Sequence, residues 1–337
     1  MTVDDIIRNA LKVNMGHKSG ERVLIVSQEW HPAMGAHTEE NFSRSKLVAQ
    51  TMHVAFLGDG VDSTLLSYQP TAPDHGVDVP AQFYSKVANG GHFDIAFMPT
   101  PYSISHTKFR KELCDNGSRV ASMPTFTMKM FEPDGPMSAD YNQVAKLSLD
   151  VARKMKELPY IHILGKGTDI LVEATPHLAH VDTGLFHDRG DFGNLPAGEG
   201  YCVPKNANGY FSVPKGWGGE EPSKYNLQFR VNNGRIIDVQ ADDKNAQQYL
   251  KDTIHPLIFG GNNYNVLAEL GIGTNHKITP EYVKKNGWTA LTAEKIIDSA
   301  HFANGNSAAM GGSNDVPRHL DWVVPNVQIR YMDRPNR

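Results

Sequence analysis

The pattern of the chain changes near residue 160, and that change limits the folds open to it more than any other feature. Before it, short apolar runs alternate with helix-like stretches. RVLIVSQ (22–28), HVAFLGDG (53–60), FDIAFMPTP (93–101) and RVASMPT (119–125) read as strands. HTKFRKELCDNG (106–117) reads as a helix stopped at Asn116-Gly117. Strands separated by helices predict a parallel sheet. SADYNQVAKLSLDVARKMKELP (138–159) is the clearest helix, with Ser138 as cap. Ala145, Leu147, Val151 and Met155 recur along it at helical spacing, and Pro159 follows its end.

After that helix the chain turns β-rich. YIHILGKGTDILVEA (160–174) reads as two strands around a Gly165–Gly167 turn. GYFSVP (209–214), YNLQFRVNNGRIIDVQA (225–241) and WVVPNVQIRYMD (322–333) are further strand candidates, with NNGR (232–235) a hairpin signal. Helices are fewer: KNAQQYLKDTI (244–254), EYVKKNG (281–287) and, as a third candidate, TAEKIIDSAH (292–301). The predicted fold class is α/β. An N-terminal parallel-sheet layered domain spans residues 1–160, and a C-terminal α+β domain with a mostly antiparallel sheet spans 161–337. At 337 residues the chain exceeds one ordinary compact domain.

Composition narrows the function classes. The net charge is −4 and no basic stripe is present, so nucleic acid is not a predicted partner. No Lys/Arg cluster suits an anionic membrane, and no run approaches the roughly 20 apolar residues of a membrane span. The start, MTVDDIIRNALKVN, has acids where a signal peptide carries positive charge. Cys114 and Cys202 lie far apart, without zinc or redox spacing. These features together predict a reduced, cytoplasmic location. No G-x-G-x-x-G, P-loop, G-x-S-x-G, H-E-x-x-H or C-x-x-C is found, which leaves nucleotide, serine-nucleophile and helix-borne zinc chemistry without support.

Several residues remain as candidates for chemistry. In RHLDWVV (318–324), His319 and Asp321 are two apart, so on a strand they leave the same face, half of a plausible metal site. His301 precedes the small, polar loop NGNSAAMGGSN (304–314). Glu269 opens the glycine-punctuated ELGIGTN (269–275), and Glu199 sits in GNLPAGEGYCVP (193–204) behind a turn. Taken singly, each has a plainer reading: a chance H-x-D, a core histidine, a surface glutamate, a loop charge. PHLAHVDTGLFHDRGD (176–191) packs His177, His180, Asp182, His187 and Asp188 together, but without fixed spacing, and reads as a solvated loop.

The ordered set GTD (167–169), GNLPAGE (193–199), NNGRIIDV (232–239), ELGIGTN (269–275), EKIIDSAH (294–301) and GGSNDVPRHLDW (311–322) resembles the family M29 aminopeptidases. The match covers the second half of the chain. The resemblance implies a metal-dependent hydrolase of amide bonds that carries two divalent ions, zinc, manganese or cobalt, able to share and activate a water. Position by position it implies Glu199, Glu269, His301, His319 and Asp321 as ligands, with Glu199 between the ions as the catalytic carboxylate. It also implies a homodimer and a peptide or small-molecule substrate. One departure stands out: the aminopeptidases carry a tyrosine seven residues after the His301 position, and here Ala308 stands there. Lys295, beside Glu294, is a candidate contact behind the ligands or to a substrate carboxylate, and reads equally as a surface lysine. The sequence is similar in outline to the 2,5-dihydroxypyridine dioxygenases as well, which use one Fe(II). In that alternative His301, His319 and Asp321 would form a facial triad. A third reading is a non-catalytic member whose metals only stabilise the fold.

Overall fold

The computed structural model describes residues 1–219 and 221–334. The chain forms two compact units, one of residues 1–142 with 184–197, the other of 143–183 with 198–337.

The first unit is built on a parallel sheet. β1 (Val23–Gln28) is buried along its whole length and pairs in parallel with β2 (Ser63–Tyr68) and β3 (Ile95–Met98), and β3 pairs with β4 (Arg119–Ser122). The run HVAFLGDG proves helical. It ends the 20-residue helix Glu39–Gly58, whose Val48, Met52 and Phe56 recur every four residues and are buried. β2 was hidden by its mixed sequence, STLLSY, which carries too little apolar pattern to announce a strand. The helix Lys108–Asp115 is capped by the Thr107 hydroxyl, which accepts from the Arg110 amide at 3.3 Å. Phe109 of this helix and Phe83 of helix Ala81–Asn89 pack with Leu24 and Val26 of β1 in one apolar cluster. Full burial of each such side chain contributes roughly 1.5–3 kcal/mol.

The chain then passes into the second unit. The helix Tyr141–Glu157 begins later than Ser138, whose hydroxyl donates to the carbonyls of Pro133 and Gly135. The Asp140 carboxylate instead accepts the Asn142 amide at 3.0 Å. From Gln143 onward this helix belongs to the second unit, because Met155 is buried in that unit's core and Ser148 bonds the Thr274 hydroxyl at 2.7 Å. The sequence pattern placed the boundary after it, at 160. β5 (Tyr160–Gly165) and the 15-residue β6 (Thr168–Asp182) follow as an antiparallel pair. The chain returns to the first unit for β7 (Phe192–Asn194), which adds in parallel to β4 and gives the order β2-β1-β3-β4-β7.

The second sheet is antiparallel. β8 (Glu199–Val213) pairs with β6 on one side and with β11 (Leu267–Gly273) and β9 (Leu227–Asn232) on the other. β9 and β10 (Arg235–Ala241) form the hairpin announced by NNGR, and both turn residues, Asn233 and Gly234, adopt positive φ. β12 (Ala300–Gly305) and β13 (His319–Val324) extend the sheet beyond β11, and β14 (Gln328–Met332) closes the other edge against β5. One face of β8, β11, β12 and β13 is apolar. Cys202, Leu270, Phe302 and Trp322 lie there in the core, and Phe211 stacks on Phe229 and Phe302 at 4.6 and 4.5 Å.

The stretch TAEKIIDSAH is not a helix. Helical turns stop at Ala293, Ile296 bridges to Asn275, and β12 begins at Ala300. Burial of Ile296 and the hydrogen bond from the Asn275 amide to the Lys295 carbonyl, 3.1 Å, override the local helical preference. His177, His180 and Asp182 lie within β6, not on a solvated loop.

Candidate metal centre

The face of the second sheet opposite the core carries the five candidate ligands. The side-chain period of two explains why. On β11, Leu270 and Ile272 face the core, so Glu269, Gly271 and Gly273 face the other way. Cross-strand register extends this face: Glu269 pairs with Ala303 and Ala303 with Asp321, while Gly271 pairs with His301 and Gly273 with Glu199. His319 stands opposite Gly305. Between Glu269 and Asp321 lies only the methyl group of Ala303. The sequence ELGIG therefore encodes an acid followed by two vacancies.

Those vacancies are used. A Cβ at Gly271 would stand 2.1 Å from the His301 ring, so the imidazole lies across the strand where a side chain would be. A Cβ at Gly273 would stand 2.0 Å from the Ile296 carbonyl oxygen, so this glycine admits the backbone that delivers Lys295.

The five residues form two overlapping groups. Glu199, Glu269 and His301 make a buried group; Glu269, His319 and Asp321 make a second, with His319 and Asp321 half-buried. In each, one ligand atom per residue lies within 4.8 Å of the others. His301 Nε2 is 3.2 Å from Glu269 Oε1 and 3.4 Å from Glu199 Oε2. His319 Nε2 is 3.3 Å from Glu269 Oε2 and 3.5 Å from Asp321 Oδ1. Glu269 thus gives one oxygen to each group and is the carboxylate the two groups share. Glu199 is engaged elsewhere: its Oε1 accepts from Lys295 Nζ at 2.8 Å.

The electrostatics follow from burial against charge. Burial alone would neutralise His301, but Glu269 and Glu199 hold its proton and raise its pKa to about 9. His319 is opposed by burial in the same way, and Asp321 and Glu269 lift it well above the ordinary histidine value. Burial pushes Glu269 up, yet its hydrogen bonds to His301 and His319 hold it down at about 2. Asp321 is likewise lowered, its burial outweighed by His319. Two imidazolium protons therefore occupy the space between three carboxylates, where a cation would find its ligands.

The residues fit a divalent cation. Glu199 Oε2 is buried and has no hydrogen-bond partner. A buried polar atom left unpaired costs about 1–3 kcal/mol, more when charged, so such an atom calls for a ligand. Three carboxylates with two imidazoles suit zinc, manganese or cobalt.

Other residues join the cluster: Lys295 with its neighbour Glu294, which the sequence offered as a candidate contact, and Tyr201, which it did not single out. Lys295 is 1 % exposed, no surface lysine, and its Nζ also donates to Glu294 Oε2 at 2.6 Å. Glu294 is pushed up to about 8 by burial, against the pull of Lys295, and the charges of Asp321 and Glu199 push the same way as burial. Tyr201 lies on the ligand face of β8, opposite Gly271, and burial with the charges of Glu269 and Glu199 raises its phenol pKa. A small residue facing a strand residue across the register was the available signal for Tyr201; for Lys295 the sequence offered its place beside Glu294 but not its depth, which comes from the path of 294–299. Ala308 begins an exposed 3-10 turn, Ala308–Met310. His180 is bound to the Met310 carbonyl at 2.9 Å and His187 to the Val13 carbonyl at 2.8 Å, and neither belongs to a metal-capable group among the described residues. No helix among the described residues is long and apolar enough to cross a membrane.

No protein-family model matches the chain, and no characterised protein matches its sequence. Solved structures do. The chain is similar to the 2,5-dihydroxypyridine dioxygenase of Pseudomonas putida KT2440, with a TM-score of 0.73 at 14% identity, over 98% of this chain and 93% of that one. It is similar to wild-type AmpT of Thermus thermophilus, with a TM-score of 0.61 at 12% identity, over 98% and 94%. The likeness runs through both units, and the two-sheet α/β fold is one the chain shares with these proteins.

Proposed function

We propose that the protein is a metal-dependent hydrolase of amide bonds, aminopeptidase-like, acting on a peptide or a small molecule with two divalent ions bound. The observation that carries this reading is the pair of overlapping ligand groups with Glu269 in common. Glu199 and His301 would hold one ion with Glu269, and His319 and Asp321 the other. Two such ions supply an activated water and polarise the scissile carbonyl. The chain's own part is to fix the ligands on one rigid sheet face and to keep one group buried while leaving His319 31% exposed toward substrate. Resemblance to the M29 aminopeptidases and the fold shared with AmpT support this reading. The protein is further proposed to be cytoplasmic and homodimeric, on composition and resemblance alone.

The alternative is a ring-cleaving dioxygenase with one Fe(II), supported by the fold shared with the Pseudomonas enzyme. Its facial triad needs two imidazoles with one carboxylate. Each group here holds a single imidazole, which favours the hydrolase. Metal content per chain, measured by mass spectrometry on protein purified without chelator, tests the choice. About two zinc, manganese or cobalt ions, with release from aminoacyl-anilides, support the hydrolase. One iron, with oxygen uptake on hydroxylated pyridines, overturns it.

A further inference from the structure

Lys295 holds an unusual position for a cation. It is 1 % exposed, lies behind the ligand face, and donates to Glu199 Oε1 at 2.8 Å and Glu294 Oε2 at 2.6 Å. The other oxygen of Glu199, Oε2, is buried, has no hydrogen-bond partner, and lies 3.4 Å from His301 Nε2. One carboxylate thus has one oxygen held by Lys295 and one oxygen without a hydrogen bond, 3.4 Å from His301 within the ligand group.

We infer that Lys295 is a positioning residue that makes Glu199 a one-oxygen ligand. The ammonium takes Oε1 and offers only Oε2 to an ion held with His301 and Glu269. Three consequences follow. Glu199 cannot bridge two ions while Lys295 holds it, so bridging falls to Glu269, both of whose oxygens face imidazoles. Glu199 cannot chelate one ion with both oxygens, so the coordination number there stays low and a position is left open for water. The Lys295 hydrogen bond also fixes the orientation of the carboxylate plane, because tilting it away would break the 2.8 Å bond at Oε1. Gly273 is part of the same device, since a side chain there would displace the backbone at Ile296 and withdraw Lys295.

This inference rests on the two-ion reading above, and the experiment separates the two. Metal-free protein is titrated with cobalt(II), and stoichiometry and visible absorption are recorded for wild type, Lys295→Met, Glu199→Gln and the double variant. Methionine keeps the buried volume and length while removing the ammonium. In Lys295→Met, freed Glu199 is expected to chelate with both oxygens. The absorptivity of the ion bound with His301 then falls severalfold, as the coordination number rises, while two cobalt ions still bind. In Glu199→Gln, Lys295 is expected to capture the amide oxygen and turn the NH2 toward the ion, so one cobalt is lost. In the double variant the amide is free to turn its oxygen inward, and the second cobalt returns at lower affinity. A residue that only balances charge would leave the absorption unchanged and give no rescue. An unchanged spectrum in Lys295→Met, together with two ions in Glu199→Gln, overturns the inference. If Lys295→Met does not fold, as judged by circular dichroism, retention of two ions by Glu199→Gln overturns it alone and loss of one supports it. Wild type that binds no cobalt refutes instead the two-ion reading.

Discussion

Loading the site with metal should release protons, and the number can be worked out from the structure. An imidazole ligates through a lone pair, so a protonated histidine must lose its proton first. His301, raised to about 9, is about 99% protonated at pH 7 in the metal-free protein. His319, raised further above its ordinary value, is protonated as well. Two ions therefore displace about two protons at pH 7, one per imidazole. The sign is fixed: the proton competes below the folded-state pKa, so apparent affinity rises with pH, about tenfold per unit for each ion while its histidine is protonated. For the ion bound with His301 the gain should flatten near pH 9. The measurement is calorimetric titration of zinc at constant pH in buffers of different ionisation enthalpy, whose slope counts protons. His301→Gln should reduce the count by one. Zero protons released at pH 7, with affinity constant from pH 7 to 9, would refute the view that imidazolium protons hold the place of cations.

Stability without metal should fall as pH rises. His301 gains its proton's support below pH 6.5 and loses it through about 9, and Glu294, raised to about 8, costs stability progressively from about pH 4.5 to 8. Denaturant melts should show a loss of the order of a few kcal/mol between pH 6.5 and 9, abolished or reversed by saturating zinc. Gly271→Ala should displace the His301 ring, abolish the ion bound there and cost about 1–3 kcal/mol of stability, read by metal stoichiometry and thermal melt. Ala308→Tyr, in an exposed turn, should change stability by less than about 0.5 kcal/mol, and a rise in anilide hydrolysis would show that a hydroxyl there is what the chain lacks. Tyr201→Phe should leave metal stoichiometry at the wild-type value and lower turnover, and unchanged turnover would remove the phenol from the reaction.

Much of this architecture was legible in the residues, and the failures have identifiable physical causes. His319 and Asp321 could be placed on one face because strand period alone decides it. The NNGR hairpin was readable from turn chemistry. HVAFLGDG was misread because an apolar run of helix and one of strand look alike over eight residues; the deciding contacts, Val48 and Met52, lie upstream. TAEKIIDSAH has helical composition, but a buried Ile296 and its bridge to Asn275 override it. The identity of the shared carboxylate was not readable at all. It rests on side-chain placements, among them the Lys295–Glu199 hydrogen bond, that a loop path sets through contacts remote in sequence.

The order of the second sheet places β13 at its edge, paired among the described residues with β12, and the Val323 amide reaches the Gly218 carbonyl at 3.1 Å. Two of the five candidate ligands, His319 and Asp321, sit on this strand. An edge strand is the part of a sheet that opens first, so the site's grip on an ion and the opening of that edge are one equilibrium. An ion held by Glu269, His319 and Asp321 staples the outermost strand to the interior through β11. Amide exchange along 319–324 should then slow on metal binding while β5 and β14, at the far edge, keep their rates. A metal bound at these residues would then double as a gauge of whether that margin of the sheet is shut.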